Sequence, residues 1–106
     1  KEKLHQESLK FYSKALSSIP RNQRTLRNIA DIYTQLEYFK LAELFYKCSI
    51  DASPNDPITL YKYGYFLEKV QKDFEISEKY YKLSHEILPN IQNFICYGNM
   101  LLDLKV

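Results

Sequence analysis

The sequence predicts an all-α protein built from antiparallel helical hairpins, six helices in total. Three observations predict it. Leu26, Ile29, Ala30 and Tyr33 keep the spacing of one helical face, and adding thirty-four to each number gives Leu60, Tyr63, Gly64 and Leu67, then Phe94, Tyr97, Gly98 and Leu101. Bulky and small positions therefore return in the same order three times. The second half of the unit behaves alike: Ser8 and Tyr12 precede Ala42 and Tyr46 at that interval, Ser77 and Tyr81 follow one residue late, and Pro20, Pro54 and Pro89 close the units. Finally, the chain has only two glycines, and both stand inside apolar helical patterns rather than in turns, where each costs roughly 1 kcal/mol relative to Ala. Gly64 and Gly98 share the place of Ala30, so each is expected to admit a close partner helix whose small row is Ser8, Ala42 and Ser77. The tyrosines four residues on would fill the gap beside that contact.

The elements follow in order. Residues Glu2 to Ser18 form the first helix, with Leu4, Leu9, Tyr12 and Leu16 among its apolar positions, and Ile19-Pro20 ends it. Asn22 caps a second helix reaching about Gln35. A turn through Glu37 and Tyr38 reverses the chain into a third, Phe39 to Ala52. Pro54-Asn55-Asp56-Pro57 is the clearest boundary, because Asp56 can accept from free amides while Pro57 takes the first helical position, where its missing N–H costs nothing. The fourth helix continues to about Val70. Asp73 caps the fifth, Phe74 to Leu88, and Pro89-Asn90 restarts the pattern for a sixth, Ile91 to about Leu104.

These residues resemble the tetratricopeptide repeat, a thirty-four-residue helix-turn-helix unit. The pattern of a bulky residue, Leu, Gly and Tyr on the first helix, then Ala, an aromatic and Pro on the second, is met by Leu26, Ile29, Ala30, Tyr33, Ala42, Tyr46 and Pro54. The likeness covers essentially the whole chain. It implies one repeat-like domain over 1–106: a second helix (2–22), two full repeats (23–56 and 57–90) and a first helix (91–106), stacked as a right-handed α-α superhelix. Departures from the pattern are local. No tryptophan opens any helix, the turns near Glu37 and Lys72 lack the usual glycine, and the loop before Ser77 carries one extra residue. Natural arrays protect their ends with polar caps. Here the first and last helices each lack a neighbour, so the resemblance implies a fragment of a longer array, or self-association with another copy through the unfinished ends.

Composition narrows the function. A chain of 106 residues with 45% hydrophobic and 26% charged residues suits one globular domain. Apolar runs fall far short of the roughly twenty residues that a spanning helix needs, and no basic and hydrophobic leader opens the chain, so no membrane role is expected. Fifteen basic against thirteen acidic side chains leave +2, too balanced for a protein that coats nucleic acid. Cys48 and Cys96 have no second Cys or His at metal-ligand spacing, and they read as reduced thiols of an intracellular protein, cytoplasmic or nuclear. Cys96 is expected to face solvent, since its repeat equivalents are Asn28 and Lys62, and His85 to be a partly buried structural residue where earlier repeats carry Leu16 and Ile50. No phosphate loop, nucleophile elbow or metal-binding histidine pair occurs. Glu37 with Glu43, and Glu75 with Glu78, are spaced like solvated helix faces. The chain is thus read as non-enzymatic, with no cofactor and no metal.

What remains is the face opposite each first-helix core stripe, which in tetratricopeptide-like arrays lines a concave peptide groove. By phase it holds Arg24, Arg27, Asp31 and Thr34, then Ile58, Tyr61, Lys62, Tyr65 and Glu68, then Gln92, Ile95, Asn99 and Leu102. Arg24 and Arg27 lie at the positive end of their helix dipole, which disfavours cations by a few tenths of a kcal/mol and would be relieved by an acidic ligand; alternatively they are solvated, with Arg27 paired to Asp31. Tyr61 and Tyr65, one turn apart, suit a binding surface, or else pack on a neighbouring helix. The partner expected is a protein or peptide segment with acidic and apolar residues. A chaperone C-terminal tail is disfavoured, because the positions that clamp its carboxylates in such arrays fall on Arg27, Asp31, Lys62, Gln92 and Cys96, of which only Arg27 is similar. The competing reading is a scaffold of an RNA-processing complex, since Tyr61 to Glu68 followed by Tyr80-Tyr81 is similar to half-a-tetratricopeptide repeats. Direct binding of nucleic acid ranks lower, because only Arg24, Arg27 and Lys62 supply positive charge to that face.

Overall fold

The computed structural model describes residues 2–18 and 22–105, all of whose regular structure is helical. The Ile19-Pro20 stop and the closing Pro20 lie outside the described residues, as does the side chain of Leu16. The chain divides into two compact units, Lys1–Pro54 and Asn55–Val106.

The first unit contains α1 (Glu2–Ser18), α2 (Gln23–Gln35) and α3 (Phe39–Ala52). The side chain of Asn22 accepts from Thr25 N at 2.9 Å, which satisfies one of the orphan amides opening α2. The pairing of α2 with α3 follows the expected pattern: Leu26, Ile29, Ala30, Ala42 and Tyr46 are all buried, and Ala30 and Ala42 completely so. Ser49 Oγ ties the end of α3 to Gln23 O at 2.8 Å. Tyr33, half-buried, sets its ring 5.5 Å from that of Phe45.

The second unit contains α4 (Pro57–Phe66), α5 (Phe74–Ile87) and α6 (Ile91–Lys105). Asp56 accepts from Ile58 N and from Thr59 Oγ1, both at 3.1 Å, with Pro57 in the first turn. Asp73 accepts from Ile76 N at 3.3 Å, and Asn90 from Asn93 N at 2.8 Å. The α4–α5 pair repeats the architecture of α2–α3. Ser84 Oγ reaches Pro57 O at 2.7 Å, the same bond at the same place as Ser49 to Gln23. At Gly64 the backbones approach so closely that Ser77 Oγ donates to Gly64 O at 2.6 Å, and an added Cβ would lie 3.1 Å from the Tyr81 ring. The glycine expected to admit a partner helix does so here.

The fourth helix departs from expectation at its end. Instead of α-helix to Val70, the chain widens into a π-helical turn over Leu67–Gln71. Glu68 within this turn is buried, and Tyr81 Oη donates to it at 2.8 Å. Both hairpin turns lack glycine yet use the left-handed conformation, with Glu37 at φ 65° and Lys72 at φ 57°. After α2 the geometry is a Schellman motif, Tyr38 N donating to Tyr33 O and Glu37 N to Thr34 O. An L-residue in that region costs about 1 kcal/mol or more. Glu37→Gly and Lys72→Gly should each stabilise the chain by about 0.5–1 kcal/mol, readable as a raised urea midpoint at unchanged slope.

The sixth helix corrects three expectations. Phe94 and Leu101, read as core, are exposed; Cys96, read as facing solvent, is buried; and a Cβ added at Gly98 would meet nothing within 4 Å. Asn93, Cys96 and Met100 are buried instead, Cys96 and Met100 against Tyr81, while Asn93 Nδ2 donates to Tyr81 O at 3.1 Å. The reason is which neighbour is present. The stripe through Leu60, Tyr63, Gly64 and Leu67 is covered by the helix that follows it, α5, whereas α6 packs chiefly on the helix that precedes it and does so with its adjoining face. His85 is half-buried as expected, its ring 4.8 Å from that of Phe94.

Candidate functional site

The residues assigned to a binding face divide between the two units. In the first, Arg24 is exposed but Arg27 is buried, which corrects its reading as a groove cation. Asp31 is half-buried and accepts a hydrogen bond from Tyr46 Oη. Tyr46 is held far above its ordinary range, first by burial and then by the Asp31 carboxylate, while the nearby Arg27 charge pulls the other way. Arg27, Asp31 and Tyr46 thus form a polar cluster that ties α2 to α3. The cationic end expected of the groove shrinks to Arg24.

In the second unit α6 also touches α4, so the outward faces of these two helices adjoin. Ile58 and Tyr65 on α4 are exposed, as are Ile95, Asn99 and Leu102 on α6. Their spacing, seven residues within each helix, keeps each set on one side. Tyr61 is half-buried and packs against the cluster of Tyr81, Cys96 and Met100, so it supports this surface more than it presents it. Lys62 is half-buried. Glu68, assigned to the groove, is instead buried, with Tyr81 Oη and Lys69 Nζ on its carboxylate.

Two participants were not singled out from sequence. Lys69 Nζ lies 5.8 Å from the centre of the Tyr65 ring, 3.3 Å from Glu68 Oε2 and 3.6 Å from Asp103 Oδ2. It therefore fixes the open face of Tyr65 and bridges the end of α4 to α6. Hydrogen bonding to Glu68, then its charge, raises the Lys69 ammonium above the usual lysine range. The four-residue step from Tyr65 to Lys69 could have signalled the first contact. Nothing in the spacing pointed to Asp103. Glu78, read as a solvated carboxylate, accepts from Tyr97 Oη at 2.9 Å and so also serves the α5–α6 contact.

The chemistry offered by the α4/α6 face is that of a binding surface. Its exposed members are apolar or aromatic, edged by the Asn99 amide and the Lys69–Asp103 pair. Among the described residues no group of three metal-ligating side chains occurs, and no helix is long and apolar enough to cross a membrane. Comparison with protein-family models and with curated proteins finds no match for this chain.

Proposed function

We propose that the protein is a non-catalytic, tetratricopeptide-like interaction scaffold that binds a peptide segment of a partner protein. The observation that carries this reading is the α4/α6 face, where Ile58, Tyr65, Ile95 and Leu102 stand exposed on adjoining helices, although α4 buries Leu60, Tyr63 and Phe66. Surface clusters of that kind mark interaction sites more often than solvated faces. Tyr65, an aromatic ring with one face occupied by a cation, has the amphipathic character that carries much of the binding energy in interfaces. The recurrence of one serine-to-carbonyl bond in both hairpins supports the repeat reading. The ligand is an extended segment dominated by apolar side chains; Arg24 alone leaves little to select an acidic one. Cys48 and Cys96 are free thiols, which suits the inside of a cell.

A peptide-display selection against the 106-residue chain tests this. Selected peptides should be apolar-rich, and Tyr65→Ala combined with Leu102→Ser should weaken their binding by at least tenfold, about 1.4 kcal/mol, without loss of helicity. Equal binding to both forms would remove the site. Binding of single-stranded RNA that fell steeply with salt would favour the nucleic-acid reading instead.

A further inference from the structure

The first and last helices carry complementary uncovered faces. On α6, Phe94, Gly98 and Leu101 occupy the places of Leu60, Gly64 and Leu67, which α5 buries. A Cβ added at Gly64 would meet the Tyr81 ring at 3.1 Å and Ser77 O at 3.3 Å, whereas one added at Gly98 would meet nothing within 4 Å. Whatever fills that space must be a helix of the α5 kind, with a small residue against the glycine and a tyrosine four residues later. The chain contains such a helix with its own pairing face uncovered. On α1, Ser8, Tyr12 and Ala15 stand where α3 has Ala42, Tyr46 and Ser49 and where α5 has Ser77, Tyr81 and Ser84; all six of those are buried, while Ser8 and Tyr12 are only half so and Ala15 is exposed. Phe11 is exposed too, although its counterparts Phe45 and Tyr80 set their rings 5.5 Å from Tyr33 and 4.9 Å from Tyr63.

We propose that α6 of one copy receives α1 of a second copy, head to tail, packed as α4 packs α5 within a chain. Ser8 would sit against Gly98, with Tyr12 beside it and Phe11 against Tyr97. The contact is heterologous: each copy offers one donor helix and one acceptor face.

Area and charge agree with this occupant. Ile91, Phe94, Leu101 and Leu104 on α6 are 76%, 55%, 40% and 50% exposed, and Leu4 and Phe11 on α1 are 68% and 66% exposed. At about 200 Å² for each large side chain these fractions come to roughly 700 Å² of apolar surface. An interface of ordinary polarity, about 57% apolar, would then bury about 1,200 Å² in total, at the lower edge of what a specific complex needs. The association is therefore reversible and concentration-dependent. Residues 1–54 carry nine Lys and Arg against six Asp and Glu, and residues 55–106 six against seven, so the unit bearing the donor helix is cationic and the one bearing the acceptor face slightly anionic.

Sedimentation of the 106-residue chain tests the proposal. The weight-average mass should rise with concentration from 12.7 kDa towards at least twice that value. Gly98→Leu adds its side chain in open space, so helicity should be unchanged while association is lost; Gly98→Ala, which reproduces Ala30, should associate like wild type. Phe11→Asp, at an exposed position, should also be monomeric. Mixed in equal amounts, Gly98→Leu retains an intact α1 and Phe11→Asp an intact α6 face, so the two should form a dimer that grows no further. A wild-type chain monomeric at every concentration, a Gly98→Leu chain that associates as well as wild type, or a mixture that stays monomeric would each overturn the head-to-tail contact. Gly98 neighbours Ile95 and Leu102 of the peptide face, but Phe11 lies in the other unit, so the Phe11→Asp result separates the head-to-tail contact from the proposed function.

Discussion

Tyr81→Ala should abolish the cooperative folding of residues 55–106. The ring is fully buried, lies against Gly64, stacks 5.9 Å from Tyr97, and anchors the cluster with Cys96 and Met100. Truncating a large buried aromatic costs about 3–5 kcal/mol. Its hydroxyl also donates to the buried Glu68, and withdrawing a partner from a buried acceptor costs about 1–3 kcal/mol, lessened here because Lys69 still pairs with that carboxylate. A unit of this size has a total stability of only about 3–8 kcal/mol. Hydrogen exchange would show the result as loss of protection across α4, α5 and α6; protection retained at near wild-type levels would mean that another contact holds the unit together.

The same residue makes a statement about pH. Burial foremost, and then the hydrogen bond and charge of Glu68, raise the Tyr81 phenol far above its ordinary range, and Tyr46 is raised in the same direction by burial and Asp31. The folded chain therefore keeps both protons at pH values where the unfolded chain would release them. Their contribution to stability is complete below about pH 10, the unfolded value, and is lost above it, at up to about 1.4 kcal/mol per pH unit for each tyrosine. Tyr81→Phe keeps the ring and removes one titrating group, so it should flatten this alkaline decline while lowering stability at neutral pH.

Gly64→Leu should destabilise the chain by about 1–3 kcal/mol, whereas Gly98→Leu should not destabilise it at all. The two glycines have the same place in the repeat and the same helical context. At Gly64 any added carbon meets the Tyr81 ring at 3.1 Å and Ser77 O at 3.3 Å, so α4 and α5 must separate. Overpacking of that kind costs typically 1–3 kcal/mol, and separation also breaks the Ser77–Gly64 hydrogen bond, worth about 1 kcal/mol. The gain in helix propensity, close to 1 kcal/mol, offsets only part of it. At Gly98 only the gain remains, because the surrounding space is empty. Urea titration of both variants reads the contrast. Equal midpoints would show that the approach of α4 to α5 is not set at Gly64.

Much of the fold was legible because it rests on local chemistry. Asn22, Asp56 and Asp73 cap helices as expected, and α2 and α3 begin and end where their periodicity places them. Apart from the half-buried Tyr33, the small-and-bulky stripe named the buried residues of both hairpins correctly, since α3 covers the stripe of α2 and α5 that of α4. The π-helical turn after Phe66 was legible only as a count: Ser77 and Tyr81 come one residue late, which spacing assigned to the loop before Ser77 and the structure places at the end of the fourth helix. The burial of Glu68 was not legible, because spacing alone placed it beside Tyr65.

The candidate site was legible only in part. Phase correctly put Ile58, Tyr65, Ile95, Asn99 and Leu102 outside the core, but it also put Arg27 there, and Arg27 is buried near Tyr46. A long charged side chain can follow its partners inward when an acid and a phenol wait one turn and one helix away. Periodicity states which residues share a face, and that was enough to place the helices, their caps and the pairing of α2 with α3 and of α4 with α5. Which face of α6 is covered, the inward turn of Arg27 and Glu68, and the link that Lys69 makes from Tyr65 to Asp103 all depend on packing between helices. A helical face is a property of its own residues, but burial depends on the neighbour laid against it.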